Sequence, residues 1–126
     1  MNHSEHKIKF NDLKKTIERC KKLKLKTMVF AANLKEARKI EKLKPEYIII
    51  EPPELVAGNI SVSQAKPELI KKISKTLKTK FLVGAGIKNS HDVRTALKLG
   101  ASGIAVSSAI TKAKNPGKKI RGLIKV

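Results

Sequence analysis

The chain has 126 residues, with 29 Lys and Arg against 10 Asp and Glu, a formal net charge of +19 and 40% hydrophobic residues. That length suits a single domain able to bury a core. One cysteine, Cys20, excludes an intrachain disulfide and a Cys-rich metal site, and no apolar run approaches the roughly 20 residues of a membrane span.

The positive charge favours polyanions, either nucleic acid or small phosphorylated metabolites. Aromatic residues make up 3% of the chain, which argues against base stacking and hence against nucleic acid as a partner. Many lysines fall between apolar stripes and read as a solvated face. The basic, polar start lacks the apolar stretch of a secretory signal, so a cytoplasmic protein is expected.

In chain order, a polar start, Asn2-His3-Ser4-Glu5-His6, precedes a helical stripe of Leu13, Ile17, Cys20 and Leu23, with Cys20 expected in the core. A β-branched run, Thr27 to Ala31, reads as a buried strand and leads into a helix through Leu34, Ala37 and Ile40. The second strand is Tyr47 to Ile50. A long connection, residues 52 to 66, then precedes a helix through Leu69, Ile70, Ile73 and Leu77. The third strand, Phe81 to Val83, is followed by Gly84-Ala85-Gly86-Ile87 and a helix through Val93, Ala96 and Leu97. The fourth, Gly103 to Val106, leads through Ser107-Ser108 to a last stripe of Ile120, Leu123 and Ile124. Asn11, Ser90 and Asn115 are candidate N-caps, Pro116 a first helical residue and Gly100 a helix stop.

Apolar strands alternating with helices require a parallel sheet covered by helices, either doubly wound or part of a (β/α)8 barrel. A full barrel takes roughly 250 residues, so four units make half of one and leave an inner sheet face to be covered. Residues 1–126 are expected to be one such half-barrel.

Chemistry is expected where strands end. Glu51 closes the second strand behind three isoleucines, and a carboxylate walled by apolar groups has its pKa raised and can act as a general base. His3, at the start of a turn, is placed to donate a hydrogen bond to a carbonyl oxygen. His6 and His91 read as surface residues without metal-ligand spacing. Glycines after strand three and Ser107-Ser108 after strand four match the phosphate-binding loops common after strands 7 and 8 of (β/α)8 enzymes.

Asn2-His3-Ser4-Glu5-His6, Ile50-Glu51-Pro52-Pro53-Glu54-Leu55, Ser63-Gln64-Ala65-Lys66-Pro67-Glu68, Gly84-Ala85-Gly86-Ile87 and Ser107-Ser108 resemble, in order and spacing, archaeal triosephosphate isomerases. The resemblance implies the C-terminal half of a TIM barrel that interconverts dihydroxyacetone phosphate and glyceraldehyde 3-phosphate without a cofactor or metal. Glu51 would be the base and His3 the electrophile; this pairing comes with the family and is not deduced from the chain. Residues 52–61 would form a lid, and backbone groups of Val56, Gly86, Ser107 and Ser108 would hold the substrate phosphate.

Two departures stand out. Where the family's lid continues Gly-Thr-Gly, this chain has Ala57-Gly58-Asn59, whose Ala57 is expected to alter closure. The family's first four strands, with their substrate-binding lysine, have no counterpart here; Asn33-Leu34-Lys35 resembles that lysine's tripeptide only by accident, since it follows the wrong strand. The resemblance therefore implies a partner, an N-terminal half on a separate polypeptide, and an oligomer, commonly a tetramer in the family. The alternatives are a self-pairing half-barrel acting on another phosphosugar and a basic nucleic-acid-binding module.

Overall fold

The computed structural model describes residues 1–56, 58 and 60–125. Four strands, β1 (Met28–Ala31), β2 (Tyr47–Ile50), β3 (Phe81–Val83) and β4 (Gly103–Ile104), form one parallel sheet in the order β1-β2-β3-β4. Between and around them lie α1 (Phe10–Lys22), α2 (Leu34–Glu41), α3 (Val62–Ala65), α4 (Pro67–Thr76), α5 (Ser90–Lys98), α6 (Ser108–Thr111) and α7 (Pro116–Leu123). Sequential parallel strands joined by helices are half of a (β/α)8 barrel.

The two sheet faces differ sharply. Residues alternate between faces along a strand. Val29, Ala31, Ile48, Ile50, Phe81 and Val83 share one face by register and join the core, together with Leu13, Ile17, Ala37, Ile40, Ile70 and Ile73 from the helices. Of the alternate residues, Ile49 is buried, whereas Met28, Phe30, Tyr47 and Leu82 remain half-buried or exposed, with Met28 at 47%. This is the face that lines the interior of a closed barrel.

Several local expectations are corrected. α1 begins at Phe10, with Lys9 at the cap and Asn11 inside the first turn, because Lys9 O already accepts the Asp12 and Leu13 N–H groups. The cap of α5 is Asn89, not Ser90: a carboxylate three residues on, Asp92, completes a reciprocal capping box only with Asn89. Cys20 is half-buried and Leu23 is 53% exposed, so the α1 stripe reaches the core only through Leu13 and Ile17. On α7 only Leu123 is buried, while Ile120 and Ile124 are exposed; that helix packs chiefly on α5 and α6. β4 stops at Ile104, although the Ala105 N–H still reaches Val83 O. Asn115, Pro116 and Gly100 stand as read, Gly100 with φ +100.

Candidate active site

The N-terminal segment is fastened along the β1 edge. The Met1 ammonium donates to Met28 O at 3.0 Å and the Phe30 N–H to Met1 O at 2.9 Å, a parallel pairing that carries His3 to the C-terminal end of the strands. Asn2 does the fastening. Buried, with φ +63, it donates from Nδ2 to Phe30 O and Glu36 Oε1 and accepts the Ile8 N–H. The His3 ring then packs edge-on against Phe30, with centroids 4.9 Å apart.

Glu51 follows β2, its N–H bonded to Ala31 O. Its Oε1 lies 2.8 Å from His3 Nε2. The ring N–H is not aligned for a hydrogen bond, so among the described residues Oε1 is buried without a donor. Burial pushes the Glu51 carboxyl above its ordinary range; nearby His3 and the Ala85 backbone N–H pull it back without cancelling the rise, and Glu5 adds slightly to it. A buried carboxylate oxygen with an open lone pair is costly in a purely structural setting and suits a group that accepts a proton.

On the other edge of the imidazole, Nδ1 accepts the Glu5 N–H at 3.3 Å, while the Glu5 carboxylate lies 3.7 Å away. This assigns the proton of the neutral ring to Nε2, the nitrogen beside Glu51.

Both residues open into a cavity of about 520 Å³ at the C-terminal ends of the strands, where Val56, Gly86, Ser107 and Ser108 also line the wall. All six residues singled out from the sequence thus share one space. The N–H groups of Gly86, Ser107 and Ser108 make no hydrogen bond among the described residues, which leaves them available to an anion. Val56 differs: its N–H is used within its own turn, on Pro53 O at 3.1 Å. Ala57 and Asn59, on which the expectation of altered lid closure rests, lie outside the described residues.

Close backbone approach shapes the loop after β3. Ala85 and Gly86 both have φ +68, and a Cβ on Gly86 would lie 2.2 Å from Ile60 O. A Cβ on Gly84 would lie 2.9 Å from Glu51 Oε2, so glycine there leaves room for the carboxylate.

The cavity also takes in Lys88, Lys112 and Lys119, which sequence reasoning did not single out. Among 29 basic residues nothing in the sequence distinguishes these three. Lys35, in contrast, is exposed at the start of α2 and is not part of this wall, and Asn33 caps that helix by accepting the Glu36 N–H at 2.9 Å. His6 and His91 are exposed. Among the described residues no group of three or more His, Cys, Asp or Glu side chains could hold a metal ion, and no helix is long and apolar enough to cross a membrane.

A parallel half-barrel with its cavity at the C-terminal strand ends defines the class, the (β/α)8 barrels with sites on their strand-end loops. Residues 12–125 match the family model described as thiazole biosynthesis protein ThiG. Triosephosphate isomerase of Methanocaldococcus jannaschii is 41% identical over 99% of this chain, which covers 59% of that protein. For Thermoplasma volcanium triosephosphate isomerase the identity is also 41%, over 99% of this chain and 60% of the relative. Thiamine phosphate pyrophosphorylase from Pyrococcus furiosus superposes with a TM-score of 0.67 at 28% identity, over 86% of this chain and 52% of its own. The chain thus belongs, through residues 12–125, to the family the ThiG model describes, and nearly its whole length is similar to archaeal triosephosphate isomerases, consistent with their C-terminal half. It spans about 60% of the length of these isomerases.

Proposed function

We propose that this chain provides the base, the electrophile and the phosphate-binding loops of a triosephosphate isomerase. The observation that carries the reading is the contact of His3 Nε2 with Glu51 Oε1, 2.8 Å apart, in the cavity also lined by Gly86, Ser107 and Ser108. With the substrate phosphate on the free N–H groups of those three residues, its carbonyl and adjacent carbon lie over His3 and Glu51. Glu51 takes the proton from one carbon and returns it to its neighbour, while His3 gives its Nε2 proton to the carbonyl oxygen as negative charge builds there and regains one from the adjacent hydroxyl, which becomes the new carbonyl. The raised Glu51 pKa brings the base closer to neutrality and strengthens it, and no cofactor enters the step. Lys88, Lys112 and Lys119 give the cavity a positive field that attracts a phosphorylated substrate. In the same reading residues 52–61 close over substrate, with Val56 exchanging its Pro53 bond for the phosphate.

The reaction also needs the rest of the barrel. The sheet face bearing Met28, Phe30, Tyr47 and Leu82 is the surface on which four further βα units, with the substrate-binding lysine, sit. The assembled enzyme is a cytoplasmic oligomer. Nucleic acid is not its partner.

One observation favours a second reading. The ThiG match, over residues 12–125, covers Glu51 and the loops after β3 and β4 but begins after His3, so it does not support this particular pair. In that reading two copies close one barrel and act on another phosphosugar.

Coexpression with a four-unit N-terminal half carrying the lysine, followed by assay of triose phosphate interconversion, separates the two. The expected result is a 1:1 complex with activity that neither half shows alone. A homodimer that refuses the N-terminal half and does not isomerise triose phosphates would sink the proposal.

A further inference from the structure

Asp92 is only 2% exposed, lines no part of the cavity and has no direct role in the proposed chemistry. Yet it is the most heavily bonded carboxylate in the described chain. Oδ1 accepts Ser61 Oγ at 3.0 Å and Gln64 Nε2 at 2.6 Å, while Oδ2 accepts the Lys88 N–H at 2.9 Å and the Asn89 N–H at 3.3 Å. Its backbone oxygen accepts Ser63 Oγ at 3.2 Å, and Ser61 and Ser63 are themselves 2.9 Å apart.

These bonds join two pieces of chain that the strand order does not hold together: the end of the connection after β2, residues 61–64, and the loop after β3 that carries Gly86. The join is tight elsewhere too. The Val62 N–H donates to Ala85 O at 3.3 Å, and Gly86 packs so closely under Ile60 that no Cβ fits. Exposure changes abruptly at this seam, from 57% at Ile60 to 2% at Ser61 and 0% at Val62.

A capping aspartate needs only the two backbone N–H groups of its own helix start. Here the second oxygen is turned away from α5 and given wholly to the β2 connection. We infer that Asp92 is a positioning residue for the phosphate cradle: by tying residues 61–64 to the Lys88–Asn89 backbone it fixes the left-handed Ala85–Gly86 turn, and so holds the Gly86 N–H toward the ligand. The inference rests on the reading of Gly86 as a phosphate donor. Its signature is selective. Ser107 and Ser108 hang on β4 and α6 and do not touch Asp92, so loss of Asp92 should spare their half of the cradle.

Titration of the full chain with inorganic phosphate, followed by backbone amide NMR shifts, tests this alongside amide hydrogen exchange. In the unaltered chain the Gly86, Ser107 and Ser108 amides are expected to respond together. In Asp92→Ala the Gly86 response should need about tenfold more phosphate or vanish, as for a contact misplaced by an ångström or so, while Ser107 and Ser108 still respond. Exchange at Lys88, Asn89 and Val62 should rise. Asp92→Asn, which keeps one oxygen for the backbone N–H groups, should fall between. The double variant Ser61→Ala, Gln64→Ala cuts only the cross-link, spares the α5 cap and should reproduce the Gly86 defect even if Asp92→Ala folds poorly.

The inference is overturned if the double variant keeps both the Gly86 response and the Val62 protection of the unaltered chain, or if Gly86 and Ser107 weaken equally in every variant, which would mark general loosening. If the unaltered chain ignores phosphate altogether, the cradle reading fails instead. Exchange at Val62, Lys88 and Asn89 in the double variant then decides whether the cross-link orders the turn: unchanged protection overturns it, and increased exchange supports it.

Discussion

Two glutamates flank the N-terminal segment and live by opposite rules. Glu36 accepts the Ala32 N–H at 2.7 Å, Asn2 Nδ2 at 2.9 Å and Lys7 Nζ at 2.6 Å. Burial pushes its carboxyl up, but those donors and the lysine charge more than offset it, and the pKa ends lowered. Glu51 experiences the same push from burial and finds too few donors, so its pKa ends raised. Both carboxylates touch the same short segment, one through Asn2 and the other through His3. The fully bonded one holds the segment in place and the under-bonded one faces the cavity. Burial alone therefore does not mark a reactive carboxylate; burial with an unfilled acceptor does.

The comparison breaks most visibly in activity. On the proposed function, Glu51→Gln in the complex with the N-terminal half should lower kcat by about 10²–10⁴-fold, the usual contribution of a general base, whereas Glu36→Gln should leave a protein that still turns over wherever it is folded. A Glu51→Gln enzyme with normal kcat would remove Glu51 from the mechanism.

Stability should show the reverse ranking. Glu36→Gln replaces an acceptor of three donors with one that cannot serve all of them, at a cost of about 1–3 kcal/mol in denaturant unfolding. Glu51→Gln should be neutral or stabilising at neutral pH.

The pH dependence sharpens this, with signs fixed by linkage. Glu36, lowered in the folded state, contributes stability that is present above its unfolded pKa and lost as pH falls through the folded one. Glu51, raised in the folded state, contributes stability that is present below its unfolded pKa and lost as pH rises through the folded one. Unfolding curves across the acid range should therefore lose their low-pH fall in part in Glu36→Gln, and the opposing decline on raising pH in Glu51→Gln. Identical profiles for the two variants would contradict the contrast.

The smallest effects concern the lysine look-alike. Asn33→Ala should cost about 1 kcal/mol as a lost helix cap, and Lys35→Ala should change stability by less than about 0.5 kcal/mol. Loss of isomerase activity in Lys35→Ala would show that this side chain reaches the substrate after all.

Much of the fold was legible because apolar, β-branched runs such as Tyr47–Ile50 admit few readings, and Glu51 was legible because it follows such a run directly. His3 needed the family motif, since nothing local says that a histidine near the start of a chain is held in place. What holds it is Asn2 acting on Glu36, an interaction across 34 positions that no sequence window contains. The α5 cap is Asn89 and not Ser90, and the sequence carries that signal: Asn89 with Asp92 three positions on is a capping pair, and Ser90 has no such partner. Leu23, Ile120 and Ile124 were expected inside because periodicity reports which residues share a face of a helix, not whether that face has a neighbour. Asp92 was invisible for a related reason, as its partners at 61 and 64 become neighbours only when the β2 connection folds back over the β3 loop.

The space that Gly84 leaves beside Glu51 has a consequence for how this site can change over time. Any side chain arriving at position 84 first meets the carboxylate, and any shortening at position 51 first opens a void above residue 84. Neither position can drift freely while the other is fixed. Two positions 33 residues apart in the chain thereby share one volume, whose remaining wall is the Ile49 side chain, 3.4 Å from where a Cβ on residue 84 would lie.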